Sequence, residues 1–122
     1  MKLDHSVAAV VTGAASGLGE ATAKLLANHG ARVAVFDLNE ERGAAVATEV
    51  HGVFCRVDVT DDASVAAGLE KAREAHGVER VLVNCAGIAA GRKTVSRHRE
   101  TGALIGHDMD TFRRTIEINL IG

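Results

Sequence analysis

The stretch Thr12-Gly13-Ala14-Ala15-Ser16-Gly17-Leu18-Gly19 decides the fold. It places a glycine-rich turn directly between a short apolar run, Val7 to Thr12, and a segment of helical period in which Leu18, Ala21, Leu25 and Leu26 recur until Gly30 stops the pattern. A glycine at a tight turn lets the backbone reverse, and glycines where a helix starts let a pyrophosphate reach the free N–H groups and the positive end of the helix dipole. Gly19 would also allow close helix-to-sheet packing. The spacing is G-x-x-x-G-x-G and not G-x-G-x-x-G, so a plain strand-to-helix turn is the alternative to weigh against it.

Working outward, β-branched runs at 7–12, 31–36, 53–57 and 80–83 alternate with Ala-rich helical stretches, which is the signature of βαβ units around a parallel sheet. Glu40 to Val50 gives the second helix. A third starts at Thr60, Asp61 and Asp62, which offer N-cap oxygens, carries Val65, Leu69, Ala72 and His76, and closes at Gly77. Gly87 to His107 reads as a long loop with the basic cluster Arg92, Lys93, Arg97, His98 and Arg99, a solvated loop by preference over a phosphate clamp. A last helix from Asp108 puts Met109, Phe112, Ile116 and Leu120 on one face and then the chain ends, as though cut.

Asp37 follows the second strand and lies 18 residues beyond Gly19. A carboxylate there can accept both ribose hydroxyls of an adenosine and repel a 2'-phosphate, and the neighbours Leu38 and Asn39 bring no cation to welcome one. NAD is therefore the expected cofactor over NADP; the competing role for Asp37 is to cap the second helix. Asp58 and Val59 end the third strand at the edge where open α/β folds bind ligands, and could meet adenine, although Asp58 could equally serve the start of the third helix. Asn84-Cys85-Ala86-Gly87 ends the fourth strand with small residues that leave space for a ribose. Cys85 has no flanking base to activate it as a nucleophile. Asn119, beside the apolar face of the last helix, reads from spacing alone as a structural amide needing a hydrogen-bonding neighbour.

The 122 residues amount to about one domain, 47% apolar and 25% charged, an ordinary globular composition. With 14 Lys plus Arg against 16 Asp plus Glu, neither nucleic acid nor an anionic membrane is an expected partner. Nothing near the N-terminus resembles a signal or spanning segment, so a cytoplasmic location is expected. Cys55 and Cys85 lack metal-ligand spacing, and no metal or disulfide is expected. The chain holds no Tyr, so no mechanism that needs a phenol as acid or base can run on it alone.

Taken in order, TGAASGLG at 12–19, the acid of VFDLN, DVTD at 58–61, NCAG at 84–87 and IEINLIG at 116–122 resemble the short-chain dehydrogenase/reductase family, and NCAGIA with TFRRTIEINLIG is similar to its type 2 3-hydroxyacyl-CoA dehydrogenase branch. The resemblance implies the N-terminal half of a Rossmann-type doubly wound parallel α/β sheet with strand order 3-2-1-4. Residues 1–122 would form an NAD-binding domain truncated before the family's catalytic Ser and Y-x-x-x-K segment. It implies that Gly13, Ser16, Gly17, Leu18 and Gly19 cradle the pyrophosphate, that Asp37 and Leu38 meet the ribose and Asp58 and Val59 the adenine, and that Asn84, Cys85, Ala86 and Gly87 line the cofactor's centre. Asn119 matches the catalytic Asn, whose main-chain carbonyl in the family helps hold a water leading to the catalytic Lys. The implied substrate is a 3-hydroxyacyl-CoA thioester or another secondary alcohol, and the implied assembly a homo-oligomer. Two alternatives stay open: a non-catalytic nucleotide-binding module, and an S-adenosylmethionine-dependent methyltransferase, which also sets a glycine loop after its first strand and an acid after its second.

Overall fold

The computed structural model describes residues 2–91 and 93–122, so Arg92 of the basic cluster lies outside the described residues. The chain divides into two compact units, one ending at Ala86 and one running from Gly87 to Gly122.

In the first unit, β1 (Ala8–Thr12), α1 (Gly17–Asn28), β2 (Arg32–Asp37), α2 (Glu40–Glu49), β3 (Val53–Arg56), α3 (Asp62–His76) and β4 (Glu79–Asn84) alternate as the sequence pattern predicts. The four strands form one parallel sheet in the order β3-β2-β1-β4. This is the Rossmann-type half-sheet the resemblance implied. Parallel strands need crossovers, and each crossover here is a helix laid on the sheet.

The pleat sorts the core into two faces. On one, Val11, Val33 and Val35 pack with Ala23 of α1 and Val46 and Ala47 of α2. On the other, Val10, Ala34, Phe36 and Cys55 pack with Ala72 of α3. Each fully buried valine contributes about 1.5–3 kcal/mol by leaving water, so β1, buried along its whole length, is the axis of the fold. Helix α1 departs from its expected face. Leu18 and Leu25 are exposed, while Gly19 and Ala23 are buried against the sheet and Leu26 packs on the edge of the same cluster, because the helix comes closest to the sheet where its side chains are smallest.

Helix ends follow the chemistry of their caps. Asp61 accepts from the backbone N–H groups of Ala63 and Ser64 at 2.9 and 3.3 Å, and Gly77, at φ 78°, ends α3. Cys55 and Cys85 are both free thiols. Their strands lie at opposite edges of the sheet, about 14 Å apart at ~4.8 Å per strand, well beyond disulfide reach.

In the second unit, the segment expected to be a loop contains an antiparallel hairpin of β5 (Val95–Arg97) and β6 (Leu104–Gly106). Its turn is closed by His98 and Ala103, with Gly102 at φ 70°. Helix α4 (Met109–Ile116) is capped by Asp108 and continues into a π-helical turn, Glu117–Ile121. The face that carries Met109, Phe112 and Leu120 is exposed.

Candidate functional site

The carboxyl ends of β1, β2 and β4 meet in one row, since Thr12 is in register with Phe36 on one side and Asn84 on the other. From β1 the chain enters the glycine turn through Gly13 at φ +63°, a conformation that disfavours any side chain. A Cβ at Gly13 would also fall 2.7 Å from the Ala86 nitrogen, and one at Gly19 would fall 2.2 Å from the Gly13 carbonyl oxygen. The turn therefore folds onto both the start of α1 and the end of β4. Thr12, the buried polar side chain of this region, fixes the second contact: its hydroxyl accepts from the N–H groups of Cys85 and Ala86, both at 3.1 Å.

The outer side of the turn is open. Gly17, at φ +56°, has nothing within 4 Å of where a Cβ would stand. Ser16 occupies the N-cap with no capping hydrogen bond from its side chain, and Leu18 is 83% exposed. An α-helix begins here with first-turn N–H groups that the side chain of its cap does not engage, beside the open space at Gly17. Such a donor set fits a phosphate or pyrophosphate.

Asp37 turns its carboxylate onto this loop. Oδ2 accepts from Ala15 N–H at 3.0 Å and Oδ1 from Asn39 N–H at 2.9 Å. The cap of α2 is Asn39, whose side chain accepts from Arg42 N–H at 3.0 Å, so the capping role considered for Asp37 belongs to its neighbour. Leu38 is half exposed beside it. Arg42 is the residue that sequence reasoning missed. Its Nε donates to the Ala15 carbonyl at 2.9 Å and its guanidinium pairs with Glu20 of α1 at 3.2 Å. No local pattern signals it, because the contact joins the first turn of α2 to a loop 27 residues earlier.

At the end of β3, Asp58 accepts from the Thr60 N–H at 3.0 Å and from the Thr60 hydroxyl at 2.7 Å, which shapes the approach to α3, while Val59 is half-buried. The structural role weighed for Asp58 is thus present. Asn84 is exposed, and Cys85 and Ala86 are half-buried. Burial pushes the Cys55 thiol up, away from a reactive thiolate.

Gly87 and Asn119 lie in the second unit. Asn119 Oδ1 accepts from Ile88 N–H and its Nδ2 donates to the Ile88 carbonyl, each at 2.8 Å, so the side chain is satisfied by backbone as the spacing suggested. It sits within the π-helical turn, a distortion that frequently marks functional positions. Lys93, Arg97, His98 and Arg99 are exposed, with an Arg97 guanidinium N–H donating to the Gly102 carbonyl at 2.9 Å. Among the described residues there is no cluster of three metal-ligating side chains and no helix long and apolar enough to cross a membrane.

Charge around the loop is paired. Glu20 is held below its ordinary value first by its hydrogen bond to Lys24, with Arg42 adding to the effect, and Lys24 is raised by Glu20 and Glu49. At the opposite end of the sheet from the loop, Glu79 of β4 is lowered by the Arg73 side chain of α3. Carboxylates with depressed values in the folded state stabilise it above their unfolded value and lose that contribution as pH falls through the folded one. The urea midpoint is therefore expected to hold near neutrality and to drop as pH is taken below the ordinary glutamate range, with Glu79→Gln flattening part of that drop. An acid limb unchanged in the variant would remove Glu79 from the account.

The glycine turn, the acid that ends β2 and the strand order define a dinucleotide-binding type of α/β fold. The family model described as short chain dehydrogenase matches residues 7–122, and the chain belongs to that family, whose members generally bind NAD or NADP. It is 42% identical over 115 residues to the 3-hydroxyacyl-CoA dehydrogenase type-2 of Drosophila melanogaster, covering 93% of this chain and 44% of that protein. It is 39% identical to the Homo sapiens protein of the same name, with 93% and 43% covered. The trans-4-hydroxycyclohexanecarboxylate dehydrogenase of Sinomonas cyclohexanicum is 38% identical, with 93% and 44% covered. A crystal structure titled as the ribose-5-phosphate isomerase of Brucella melitensis 16M superposes with a TM-score of 0.67 at 45% identity, over 71% of this chain and 34% of that one. The chain thus spans less than half the length of these relatives, and the likeness to the type-2 branch read from NCAGIA and IEINLIG is borne out. Family membership sets the methyltransferase alternative aside.

Proposed function

We propose that these residues form the cofactor half of an NAD-dependent dehydrogenase that oxidises a secondary alcohol, a 3-hydroxyacyl-CoA thioester in the first instance. The observation that carries the reading is the Asp37 carboxylate, anchored on Ala15 N–H at the rim of an open, uncapped glycine turn. Gly13, Ser16, Gly17, Leu18 and Gly19 would hold the pyrophosphate through backbone N–H groups, Asp37 the adenosine ribose, Asp58 and Val59 the adenine, and Asn84 to Gly87 the central part. Held by these residues, NAD would supply the acceptor for the hydride of the carbinol carbon. The Asn119 side chain is engaged with Ile88, and its main-chain carbonyl would orient a water on the proton path. The alcohol proton needs an acceptor, and the phenol of a Tyr is not among the groups that these 122 residues can offer for it.

The same absence favours a second reading of this chain taken alone, a nucleotide-binding module without turnover. One experiment decides between the two. NADH formation from a 3-hydroxyacyl-CoA is compared for the 122-residue chain and for a version extended through a Ser and Y-x-x-x-K segment. Turnover is expected only in the extended version; turnover by the short chain would overturn the assignment of its base.

We also propose a homo-oligomer in the cytoplasm, with a small-molecule substrate and neither nucleic acid nor membrane as partner. Strand β4 is an edge of the four-stranded sheet and Leu82 on its face is 58% exposed, and an edge strand of this kind can pair with another chain. Light scattering is expected to give a mass above that of one chain at micromolar concentration, and Leu82→Lys to return it toward the monomer. A monomer in the unsubstituted chain would refute the edge as an interface.

A further inference from the structure

Ala15 is gripped from both sides by the last residue of β2 and the first turn of α2. Its N–H goes to Asp37 Oδ2 at 3.0 Å and its carbonyl to Arg42 Nε at 2.9 Å. The carboxylate that would meet the ribose and a guanidinium thus share one residue of the loop. The expectation that no cation stands near this position came from Leu38 and Asn39 alone, and the fold brings one in from the next helical turn. Arg42 is largely exposed, and its charge is directed to Glu20, which is bound in turn to Lys24 at 2.8 Å, while Lys24 bridges to Glu49 at 2.8 Å.

We infer that Arg42 is a latent 2'-phosphate determinant held in check by Glu20, so that discrimination against a phosphorylated ribose rests on two carboxylates, Asp37 and Glu20. The inference rests on the adenosine-binding reading of the loop. An arginine beside the 2'-position would pair with a phosphate through its planar fork. Here the N–H groups of that fork are divided between the Ala15 carbonyl and Glu20, and the charge is compensated by an acid on α1. Removing the Glu20 charge while keeping its shape leaves the clamp on Ala15 intact and frees the guanidinium for another anion. The arrangement makes Arg42 a positioning residue for the glycine turn in one charge state of its surroundings and a ligand-facing cation in another.

The test uses the 122-residue chain with AMP and adenosine 2',5'-bisphosphate as probes, titrated calorimetrically, and follows the ratio of the two affinities. The unsubstituted chain is expected to prefer AMP. Glu20→Gln should shift the ratio toward the bisphosphate by roughly fivefold, the size of one exposed charge pair, and the shift should shrink as salt rises. Glu20→Gln combined with Asp37→Ser should invert the preference, and adding Arg42→Gln should cancel the inversion. A thermal melt of each variant separates misfolding from altered recognition. If Glu20→Gln moves both affinities equally, Arg42 is a clamp only and the inference fails while the adenosine site stands. If the unsubstituted chain, melting cooperatively, binds neither probe, the adenosine reading itself fails and the inference falls with it.

Discussion

Replacing Gly19 by Ala is expected to cost at least about 2 kcal/mol of stability. The new Cβ would stand 2.2 Å from the Gly13 carbonyl oxygen, 2.7 Å from its carbon and 3.0 Å from the Ala14 Cα. All three are backbone atoms, so no side-chain rotation relieves the clash. Either α1 lifts from the sheet or the turn opens, and both routes disturb the packing of Ala14 and Ala23 against Val11. Overpacking of flexible surroundings costs about 1–3 kcal/mol, and a rigid obstacle lies at the upper end. The intrinsic preference of a helix for Ala over Gly, worth up to ~1 kcal/mol, works in the opposite direction and is too small to compensate. Against a total stability of about 5–15 kcal/mol the substitution should lower the melting midpoint by roughly 10 °C or more. Gly91→Ala, where a Cβ meets nothing within 4 Å, serves as the control and should move it hardly at all. Equal midpoints for the two variants would show that the turn does not sit on α1 as described.

Asp37→Ala is expected to lower affinity for AMP by about tenfold or more and, in an extended, active version, to reduce the preference for NAD over NADP. Two charge-assisted hydrogen bonds to ribose hydroxyls, at roughly 1.5–3 kcal/mol each in gross terms, stand behind the first figure. The variant also removes the acceptor that Oδ2 provides to Ala15 N–H and the one Oδ1 provides to Asn39 N–H, so a loss of stability accompanies it. The two effects separate on the ratio of kcat/KM for the two cofactors, which a purely structural role leaves unchanged. An unaltered ratio would take the discriminating role away from Asp37.

The parallel sheet was legible because buried strands such as VAAVVT announce themselves as short apolar runs that end in Gly, Asp or Asn. Asp37 was legible for a related reason: its place after β2 follows from local spacing, and only its detailed hydrogen bonds required the fold. The β5–β6 hairpin was not. Three-residue strands exposed on both faces carry no alternation of apolar and polar residues, and their pairing depends on a turn closed by His98 and Gly102. The buried face of α1 misled in part for a physical reason: Leu18 and Leu25 lie outside, Leu26 packs on the core, and Gly19 and Ala23 lie where the helix comes close to the sheet. Arg42 was hidden because its partners, Ala15 and Glu20, come from an earlier loop and helix.

Strand β1 is made first, and it is paired on both sides: with β2, through Thr12 to Phe36, and with β4, through Thr12 to Asn84. During synthesis at about 5–20 residues per second, the second pairing must wait roughly 4–14 s after the first strand has been made. Until β4 is made, a strand that the finished fold buries along its whole length keeps an open edge, and the loop that must close around it is long and entropically expensive. Chaperone demand in the cell should therefore concentrate on chains shorter than about 84 residues, whose β1 cannot yet find β4.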